Sequence, residues 1–584
     1  MSTPSSSWSK TQQSSTTAFD SDIALQSVTK DSEKATETVT DTKPNRSSFE
    51  HDDEPQYPTG LRLVFIVVAL FASMFLVAIS QTVLAAAIPT ITDVFDSYND
   101  IGWYSTGEQL TAVSLQLPFG RAYSLLNNKW TYVASMVIFM VGSAICGAAP
   151  SSIPLIFGRT IQGVGCAGVF GGTFILIARF TPLRKRALFA GLVGAAYAVA
   201  SVLGPIIGGV FTTNASWRWC FYFNLPIGAV AILVVILCLP SSLARTSDEF
   251  KSLNWWQTIL RFDPFGTSLL LSSLVCLMLA LQRGGADYAW SDGRVIAVLV
   301  VFGLTIVPWL VLQRFQGDDA TIPFSILRQR TVWSSSLYLL FVSASFGVLI
   351  FFVPVWFQSI SGDSAEASGL KQLALCISTA VSSIVAGGIV VAIGYYNPFV
   401  ILGPFFMVAG AALLLKIDSG TGLSMLIGAQ ILCGIGMGIG SEQCNVAVQT
   451  VLPEHKVAKG TSFSLFVRLL GVALSAPTAQ SALQSALVQK LGKSVADSVY
   501  GSGGATDIRS NLEVLFADDT PALEKAVDGV NYAITRTFMV SMILAAISIP
   551  FALMVEWKSV KKEKRTTEDK KEKGGALNSS SEGE

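Results

Sequence analysis

Histidine is almost absent from this sequence, which has two histidines, His51 and His455, in 584 residues. Charged residues are also scarce, at 14% of the chain, whereas soluble domains have about 25%. Lysine and arginine together number 40, as do aspartate and glutamate, so the net charge is zero. These shortages exclude a histidine-rich metal site, and they provide no global basic surface for binding nucleic acid.

The eight cysteines form no CxxC pair and no spacing typical of a zinc site or a disulfide framework. Seven of them lie within apolar runs and Cys220 lies at the edge of one. We interpret them as small apolar side chains in a membrane core. The sequence also lacks a GxxxxGK[ST] phosphate loop and a GxSxG nucleophile motif, which disfavours ATP-driven pumping and an enzymatic function.

Apolar residues, by contrast, make up 51% of the chain, and its mean hydropathy is +0.53. From Leu61 onward they form runs of about 20 residues, the length that crosses the hydrocarbon core of a bilayer. The runs are continuous rather than alternating, which favours helices over the strands of a membrane barrel. We predict fourteen membrane-spanning helices, at 62–88, 102–125, 130–149, 153–179, 187–211, 218–239, 264–282, 295–315, 333–357, 369–393, 397–415, 422–445, 459–486 and 535–556.

Positive charges predict the orientation of these helices. With the N-terminus in the cytoplasm, the inner connections carry fourteen lysines and arginines, and the short outer connections carry five. An even number of helices returns the C-terminal tail to the cytoplasm, where the basic stretch from Lys558 to Lys573 would lie beside an anionic leaflet. The sequon Asn214-Ala215-Ser216 falls on the outer side, close to the membrane, and is a candidate glycosylation site.

A weak internal repeat divides the helices into two groups. The predicted helix 4 contains the letters QGVG from Gln162, and the predicted helix 12 contains CGIG from Cys433. Each is the fourth helix of a six-helix unit if helices 7 and 8 are an insertion between the units. A two-fold repeat of this kind is common among secondary transporters, with the substrate bound between the repeats.

The predicted fold is therefore an all-α integral membrane protein with two six-helix bundles, helices 1–6 and 9–14, and two inserted helices, 7 and 8. Residues 1–58 form a cytoplasmic tail with 21 serines and threonines in its first fifty residues, a composition typical of disorder. No signal peptide is visible near Met1. The further divisions are the N-terminal bundle at 59–240, the inserted helices with their linkers at 241–330, the C-terminal bundle at 331–557 with a long outer loop at 487–534, and a basic cytoplasmic tail at 558–584.

Two segments of the N-terminal bundle combine glycine with positive charge. Between helices 2 and 3 the chain reads GRAYSLLNNK, from Gly120 to Lys129, and helix 4 contains RTIQGVG from Arg159. Arg159, Gln162 and Gly163 are spaced i, i+3 and i+4, so they share one face of the helix. An arginine embedded in a membrane is costly and by default faces a cavity or a partner.

Helix 5 has a run of glycines around a proline. Pro205 removes a helix hydrogen bond, and Gly204 and Gly208 are one turn apart, which predicts a bent helix packed tightly on its neighbour. The residues of this segment are Gly191, Gly204, Pro205, Gly208 and Gly209.

These segments, together with KGTSF and RLLG between Lys459 and Gly471 of helix 13, resemble motifs of the major facilitator superfamily. Within this superfamily they are similar to motifs of the fourteen-helix drug:proton antiporters. The resemblance is strongest to fungal pumps for toxins and secondary metabolites. The resemblance covers about residues 59–557. It implies a cytoplasmic gating loop with Gly120, Arg121 and Lys129, and an antiporter motif at 191–209 that marks exporters.

The resemblance also implies a role in proton coupling for Arg159, with anchoring near the outer interface as the alternative. Four positions depart from the family patterns, one of them Ala200 where the antiporter motif has a glycine. The gating loop has Ser124 in place of its acidic residue and Asn127 in place of its second glycine, which weakens the expected charge latch. At the end of helix 1 the pattern L-D-x-T-I has Ser80 where the family has an aspartate that takes part in proton coupling.

Two carboxylates within predicted helices are candidates to replace that aspartate, Glu108 near the outer end of helix 2 and Glu442 in helix 12. A low-dielectric environment favours the neutral form of a carboxyl group, which can then load and release protons. For Glu442 the alternatives are a structural hydrogen bond and a misplaced helix boundary. For Glu108 the alternative is a solvated position at the interface. Asp263 is predicted to cap helix 7.

Polar and aromatic side chains within the helices are candidates for the lining of a wide, amphipathic cavity. They are Gln81, Gln109, Gln116, Gln162, Tyr197, Trp356, Gln443 and Arg468.

We therefore expect a secondary active transporter that exports amphipathic small organic molecules (a toxin, drug or secondary metabolite) by proton antiport and alternating access. It would be a plasma-membrane monomer with both termini in the cytoplasm, and would bind substrate, protons and lipid but no nucleic acid, metal or cofactor. The alternatives are coupled or facilitated uptake of a siderophore or nutrient, a non-transporting membrane sensor, and a vacuolar or vesicle membrane. The helix 5 motif argues against uptake, and neither tail resembles a signalling domain.

Overall fold

The structure is a computed structural model that describes residues 58, 60–97, 100–240, 262–284, 288, 290–317, 320–500, 508–516 and 520–561. The predicted tails at 1–58 and 558–584 lie almost entirely outside these residues. We number the long helices α1 to α14 in chain order, and a helix that is interrupted once keeps one label. The side predicted to be cytoplasmic is called the inner side.

The N-terminal bundle consists of six helices. They are α1 (Leu61–Thr82 and Leu84–Phe95), α2 (Ile101–Leu125), α3 (Asn128–Ala148), α4 (Ser152–Phe180), α5 (Leu183–Asn214) and α6 (Trp219–Tyr222 and Asn224–Cys238). The inserted pair consists of α7 (Pro264–Arg283) and α8 (Gly293–Gln316). A short helix at Phe324–Leu327 leads into the C-terminal bundle.

The C-terminal bundle also has six helices. They are α9 (Arg330–Ser359), α10 (Ala365–Ile393), α11 (Asn397–Leu414), α12 (Leu423–Val451), α13 (Glu454–Leu491) and α14 (Thr520–Met554). Two short helices, Lys493–Tyr500 and Ile508–Leu515, lie between α13 and α14. The prediction of an all-α membrane protein with fourteen long helices is thus confirmed in the described residues.

Thirteen helices in the described part of the chain are long and apolar enough to cross a membrane. The remaining long helix, α2, has 25 residues, so it reaches about 37 Å at 1.5 Å per residue. It is less apolar because it carries Glu108, Gln109, Gln116 and Arg121. A membrane helix of this composition must bury its polar groups against other helices, and three of these four side chains are indeed buried.

Several helices extend further than the apolar runs predicted. The first helix continues to Phe95, α13 reaches Leu491, and α14 begins at Thr520. The predicted outer loop at 487–534 was therefore too long, since both of its ends are helical. Apolar runs end where a helix leaves the hydrocarbon, whereas the helix itself continues as long as one face stays packed. On α14 that face consists of Ala526, Val530, Ala533 and Ile534, all buried.

Within each bundle the helices pack in adjacent pairs. In the N-terminal bundle α4 packs on α2 and α3, and α1 packs on α5 and α6. In the C-terminal bundle α12 packs on α10 and α11, and α9 packs on α13 and α14. The most extensive packing between the bundles is that of α5 with α10 and of α2 with α13, and α5 also contacts α12 while α4 contacts α13. We call the first two contacts the α5–α10 seam and the α2–α13 seam.

The inserted pair lies along the α2–α13 seam. Leu270 and Leu274 of α7 belong to one apolar cluster with Leu117 of α2 and Phe466 of α13. Helix α7 therefore contacts both bundles at once. Its partner α8 is mostly exposed, with 11% of its apolar span buried inside the chain, which is the expected burial of a helix that faces lipid on most sides.

Asp263 holds the inner ends of the inserted pair together. Its carboxylate accepts hydrogen bonds from the Gly266 amide at 2.9 Å, Gln313 Nε2 at 3.1 Å and Thr321 Oγ1 at 3.3 Å. The amide of Ile322 in turn donates to Gln313 Oε1 at 3.1 Å. The predicted capping role of Asp263 is confirmed, and the same carboxylate also bridges α7, α8 and the connection to α9.

We predict that Asp263→Ala destabilises the protein by about 2 kcal/mol, because it leaves buried donors on three segments without their acceptor. Thermal unfolding of the purified protein, followed by tryptophan fluorescence, measures the loss. Asp292→Ala is the matched control, since Asp292 caps α8 at its other end and its side chain accepts one bond, from the Arg294 amide. An equal loss in both variants would contradict this role of Asp263.

Candidate functional site

A buried ion pair connects α2 and α4. The guanidinium of Arg159 forms a salt bridge with the carboxylate of Glu108, and the two side chains are 1% and 0% exposed. The pair brings together two of the predicted proton-coupling candidates. Glu108 is therefore not a solvated residue at the interface in this structure, and Arg159 has a charged partner inside the membrane domain, where an unpaired charge would be costly.

Neutral groups complete the surroundings of this pair. Arg159 also donates to the carbonyl oxygens of Tyr104 at 2.9 Å and Ser80 at 3.1 Å, and to Gln162 Oε1 at 2.9 Å. Glu108 Oε1 accepts from Ser80 Oγ at 2.8 Å and from Cys166 Sγ at 3.0 Å. Four contacts thus hold the arginine, and three donors surround the carboxylate.

A second buried ion pair lies in the C-terminal bundle. Arg468 of α13 donates from Nη1 to Glu442 Oε1 of α12 at 2.7 Å. The other carboxylate oxygen accepts from Asn445 Nδ2 at 3.4 Å, and Ser464 Oγ donates to Asn445 Oδ1 at 3.2 Å. Glu442 lies inside α12, as predicted, although the helix continues to Val451, beyond its predicted end at 445. Among the described residues, each bundle therefore contains a buried glutamate–arginine pair.

The second pair lies directly against the N-terminal bundle at the α5–α10 seam. A methyl group on Gly194 of α5 would lie 2.9 Å from Glu442 Cγ and 3.0 Å from Ser383 Oγ. One turn earlier, Ser383 Oγ donates to the Gly191 carbonyl at 3.2 Å. Glycine is thus required at this crossing, because a side chain would separate the helices.

The α2–α13 seam is similarly tight. A methyl group on Gly120 would overlap the side chain of Ser462. Beside them, both amide atoms of Gln116 are buried without a hydrogen-bond partner among the described residues, and so are both of Gln443 on α12. These are two of the predicted cavity residues, and each has unused hydrogen-bonding capacity.

The residues of the predicted gating loop contact two different parts of the structure. Gly120 belongs to the α2–α13 seam, and the side chain of Arg121 is buried nearby on α2. Lys129 Nζ donates to the carbonyls of Ile236 at 2.7 Å and Leu239 at 2.9 Å, so it binds the C-terminal end of α6 within its own bundle. A positive charge at a helix C-terminus is favourable because of the helix dipole.

Asn127 and Ser124, the two residues of that loop that depart from the family motif, form hydrogen bonds with the neighbouring backbone. Asn127 caps α3, since its side chain accepts from the amides of Lys129 and Trp130 at 3.1 and 3.4 Å. Ser124 Oγ donates to the Arg121 carbonyl at 2.7 Å. Both side chains therefore form hydrogen bonds with nearby backbone groups. The family motif would have a glycine at 127 and an acidic residue at 124.

Two of the remaining motif glycines, Gly204 and Gly208, pack the outer half of α5 against α1. A methyl group on Gly204 would overlap Thr82, and one on Gly208 would overlap the Val83 carbonyl. Gly209 has no atom within 4 Å of the equivalent position. Tight packing on a neighbouring helix is therefore confirmed for Gly204 and Gly208, and the same helix contacts the other bundle at Gly191.

The other predicted residues occupy different surroundings. Tyr197 Oη donates to Gln81 Oε1 at 2.9 Å, which links α5 to α1. Trp356 is 2% exposed and donates from Nε1 to Asn531 Oδ1 at 2.7 Å, so it is held within the C-terminal bundle. Gln109 is exposed. Asn214 is exposed at the end of α5.

Sequence reasoning missed three residues of the two charged sites. Asn445 and Ser464 are polar residues inside apolar runs, and Asn445 follows Glu442 by three residues, a spacing that places both on one helix face. That spacing could have identified Asn445. Cys166 shares the helix face of Arg159 and Gln162, but a cysteine in a membrane helix is ordinarily an apolar side chain, so that spacing did not single it out.

Polar contacts also join the two bundles near their inner ends. Arg179 lies 3.7 Å from Glu454 of α13, and Arg184 Nε donates to the Val391 carbonyl of α10 at 3.0 Å. Together with the glycine contacts at both seams, they close the inner side. The structure therefore describes a state in which the inner ends of the bundles are in contact.

Comparison with known proteins shows the family to which the chain belongs. Residues 70–476 match the Major Facilitator Superfamily. The MFS-type efflux pump MFS1 of Trichophyton rubrum is 39% identical over 531 residues, which are 90% of this chain and 97% of that protein. The efflux pump aflT of Aspergillus parasiticus is 38% identical over 511 residues, 87% of this chain and 98% of the relative. The efflux pump roqT of Penicillium rubens is 39% identical, with coverages of 86% and 92%.

Solved structures show the same fold. The human organic anion transporter MFSD10 superimposes with a TM-score of 0.51 at 14% identity, over 83% of this chain and 100% of that one. The proton:xylose symporter XylE gives a TM-score of 0.51 at 14% identity, over 85% and 97%. The family and these relatives are transporters rather than enzymes. The chain belongs to the major facilitator superfamily and is a multi-pass membrane transporter.

Proposed function

We propose that this transporter exports amphipathic small organic molecules by exchanging them for protons. The observation that carries the proposal is the Glu442–Arg468 ion pair, which is buried in one bundle and lies against Gly194 of the other. The names of the fungal relatives, which are efflux pumps, support export. The helix 5 motif supports the same direction.

The ion pair can couple protonation to the contact between the bundles. When Glu442 binds a proton its charge disappears, and Arg468 loses the electrostatic part of their attraction. Because Gly194 has no side chain, a rearranged glutamate would press directly on the α5 backbone. Protonation would then change the relative stability of the closed and open seam, which is the differential effect that coupling requires.

The unpaired amides of Gln116 and Gln443 support an amphipathic substrate. A buried polar group without a partner costs about 1–3 kcal/mol, so both amides gain when a ligand supplies hydrogen bonds. The surrounding helices are largely apolar, and they favour a ligand with a large apolar surface. Substrates with a few hydroxyl or carbonyl groups on an apolar skeleton meet both conditions.

The proposed setting is the plasma membrane, with both termini cytoplasmic and the chain acting as a monomer. The excess of lysine and arginine on the inner connections supports this orientation. Protons would enter from the outer side as substrate leaves. Inside-out vesicles would therefore accumulate substrate when their lumen is acidic.

We predict that Glu442→Gln lowers proton-driven transport by about tenfold or more, because glutamine keeps a hydrogen bond to Arg468 but cannot take up a proton. The measurement is uptake of a fluorescent amphipathic dye into proteoliposomes with an acidic lumen, with and without a protonophore. Substrate exchange without a gradient should persist. Equal gradient-driven rates in the variant and the wild type would contradict the role of Glu442.

Glu513→Gln is the matched control for that substitution. Glu513 also pairs with an arginine, Arg509 Nε at 2.7 Å, but the pair is exposed on a short helix outside the bundles. Exposed pairs of this kind contribute about 0–1 kcal/mol. The control should therefore transport at the wild-type rate.

We also predict that Gly191→Val abolishes transport while Gly209→Val leaves most of it. The same side chain is added to the same helix in both variants. At 191 it meets the Ser383 backbone of the opposite bundle, and at 209 it meets open space. Dye transport and the elution profile of both purified variants test this, and an equal loss in both would contradict the role assigned to the α5–α10 seam.

A further inference from the structure

We propose that Glu108 is the proton-binding group of the N-terminal bundle, and that Ser80 and Cys166 are positioning residues that control when it binds a proton. The carboxylate of this site can be supplied from position 80 on α1 or from position 108 on α2, and this chain supplies it from α2. The inference rests on the proposed proton antiport.

Arg159 defines the site. It is 1% exposed, and a cation buried to that degree needs a compensating anion. Among the described residues, the salt bridge that compensates it is made by Glu108. The other contacts of Arg159 are neutral oxygens of Tyr104, Ser80 and Gln162. These three acceptors keep the guanidinium in place when the carboxylate is neutral.

Ser80 belongs to the same site through both its main chain and its side chain. Its carbonyl accepts from Arg159 Nη1 at 3.1 Å, and its hydroxyl donates to Glu108 Oε1 at 2.8 Å. An aspartate at this position would therefore direct its carboxylate to the place now occupied by Glu108 Oε1. Two carboxylates so close together would repel each other, so the site accommodates one acid, on either helix.

The Ser80 hydroxyl can change its hydrogen-bond acceptor when Glu108 is protonated. It lies 2.9 Å from the Val77 carbonyl as well as 2.8 Å from Glu108 Oε1. With Glu108 charged, the hydroxyl donates to the carboxylate. When a proton from the outer side binds Glu108, the new carboxyl O–H donates to Ser80 Oγ, and the Ser80 hydrogen turns to Val77. The proton stays on Glu108 until the inner side opens.

Several titratable groups surround Glu108. Arg159 and Cys166 on α4 contact it directly, and Cys146 on α3 and Tyr197 on α5 lie within electrostatic range. Of the other helices packed on α2, α1 has no charged residue between 62 and 93, and α7 has Arg283 at its end. On α13 the intramembrane cation, Arg468, is bonded to Glu442. Arg159 and the two neutral donors therefore determine the proton affinity of this site.

Moving the acid between the helices tests the inference. Glu108→Gln should lower gradient-driven dye transport in proteoliposomes by about tenfold or more, because glutamine cannot bind and release a proton. Adding Ser80→Asp to Glu108→Gln should restore most of the wild-type rate. The matched control is Ser80→Asn with Glu108→Gln, which has the same side-chain size at position 80 without the charge, and its rate should stay low.

Ser80→Ala is a second test, and it does not enlarge the side chain at position 80. It removes one donor from the charged carboxylate, so proton binding becomes easier and the pH midpoint of transport should rise by about one unit. A purely structural role for Ser80 would lower the rate at every pH and leave the midpoint unchanged. If the doubly substituted protein does not fold, the pH midpoint of the Ser80→Ala variant alone tests the role of Ser80.

The outcomes separate this inference from the proposed function. A wild-type transport rate that is the same with and without a pH gradient would overturn both the proposed function and this inference. Gradient-driven wild-type transport would overturn this inference alone if the aspartate at 80 restores no more than asparagine does, or if the Ser80→Ala midpoint does not move. Substrate exchange without a gradient, measured for every variant, identifies those that remain folded.

Discussion

The structure depends on the pairing of two buried arginines with two buried glutamates. Breaking a buried ion pair by removing one partner costs about 3–5 kcal/mol, because the remaining charge has no compensation. Arg159 with Glu108, and Arg468 with Glu442, therefore fix α2 to α4 and α12 to α13. The first pair also explains how α2 can carry a buried carboxylate and still lie inside the bundle.

The second constraint is the close approach of helices at glycine. At both seams the absence of a side chain in the N-terminal bundle allows contact with a serine of the C-terminal bundle, Gly120 with Ser462 and Gly191 with Ser383. Dispersion contacts of this kind are individually weak, and small residues allow many of them at once. A seam built in this way brings the helix backbones close together, and the polar contacts of Arg179 and Arg184 near the inner ends must break when the two bundles separate.

The fold was predictable because membrane helices follow from apolar runs, whereas their ends and partners do not. Length and continuity identified every spanning segment, but apolarity could not show that α14 begins at Thr520, since its first turns lie beyond the apolar run. A family motif identified Arg159, whereas Glu108 and Glu442 were identified as rare carboxylates within predicted membrane helices. That Arg159 pairs with Glu108 depends on how α2 packs on α4, and one sequence contains no information on that packing. For the same reason Lys129 was assigned to gating, and the structure places it on the end of α6.

Helix α5 connects the two charged sites physically. Its inner half contacts Glu442 at Gly194, and its outer half contacts α1 at Gly204, where Thr82 lies two residues from Ser80. Gly194 and Gly204 are ten residues apart, about 15 Å along the helix. Between them Tyr197 bonds Gln81, the neighbour of Ser80. A movement that separates α5 from α10 is therefore also a movement of α5 against the segment of α1 that holds Glu108 and Arg159. Because α5 contacts Glu442 and also the segment of α1 that includes Ser80, a movement at one charged site has a direct mechanical route to the other.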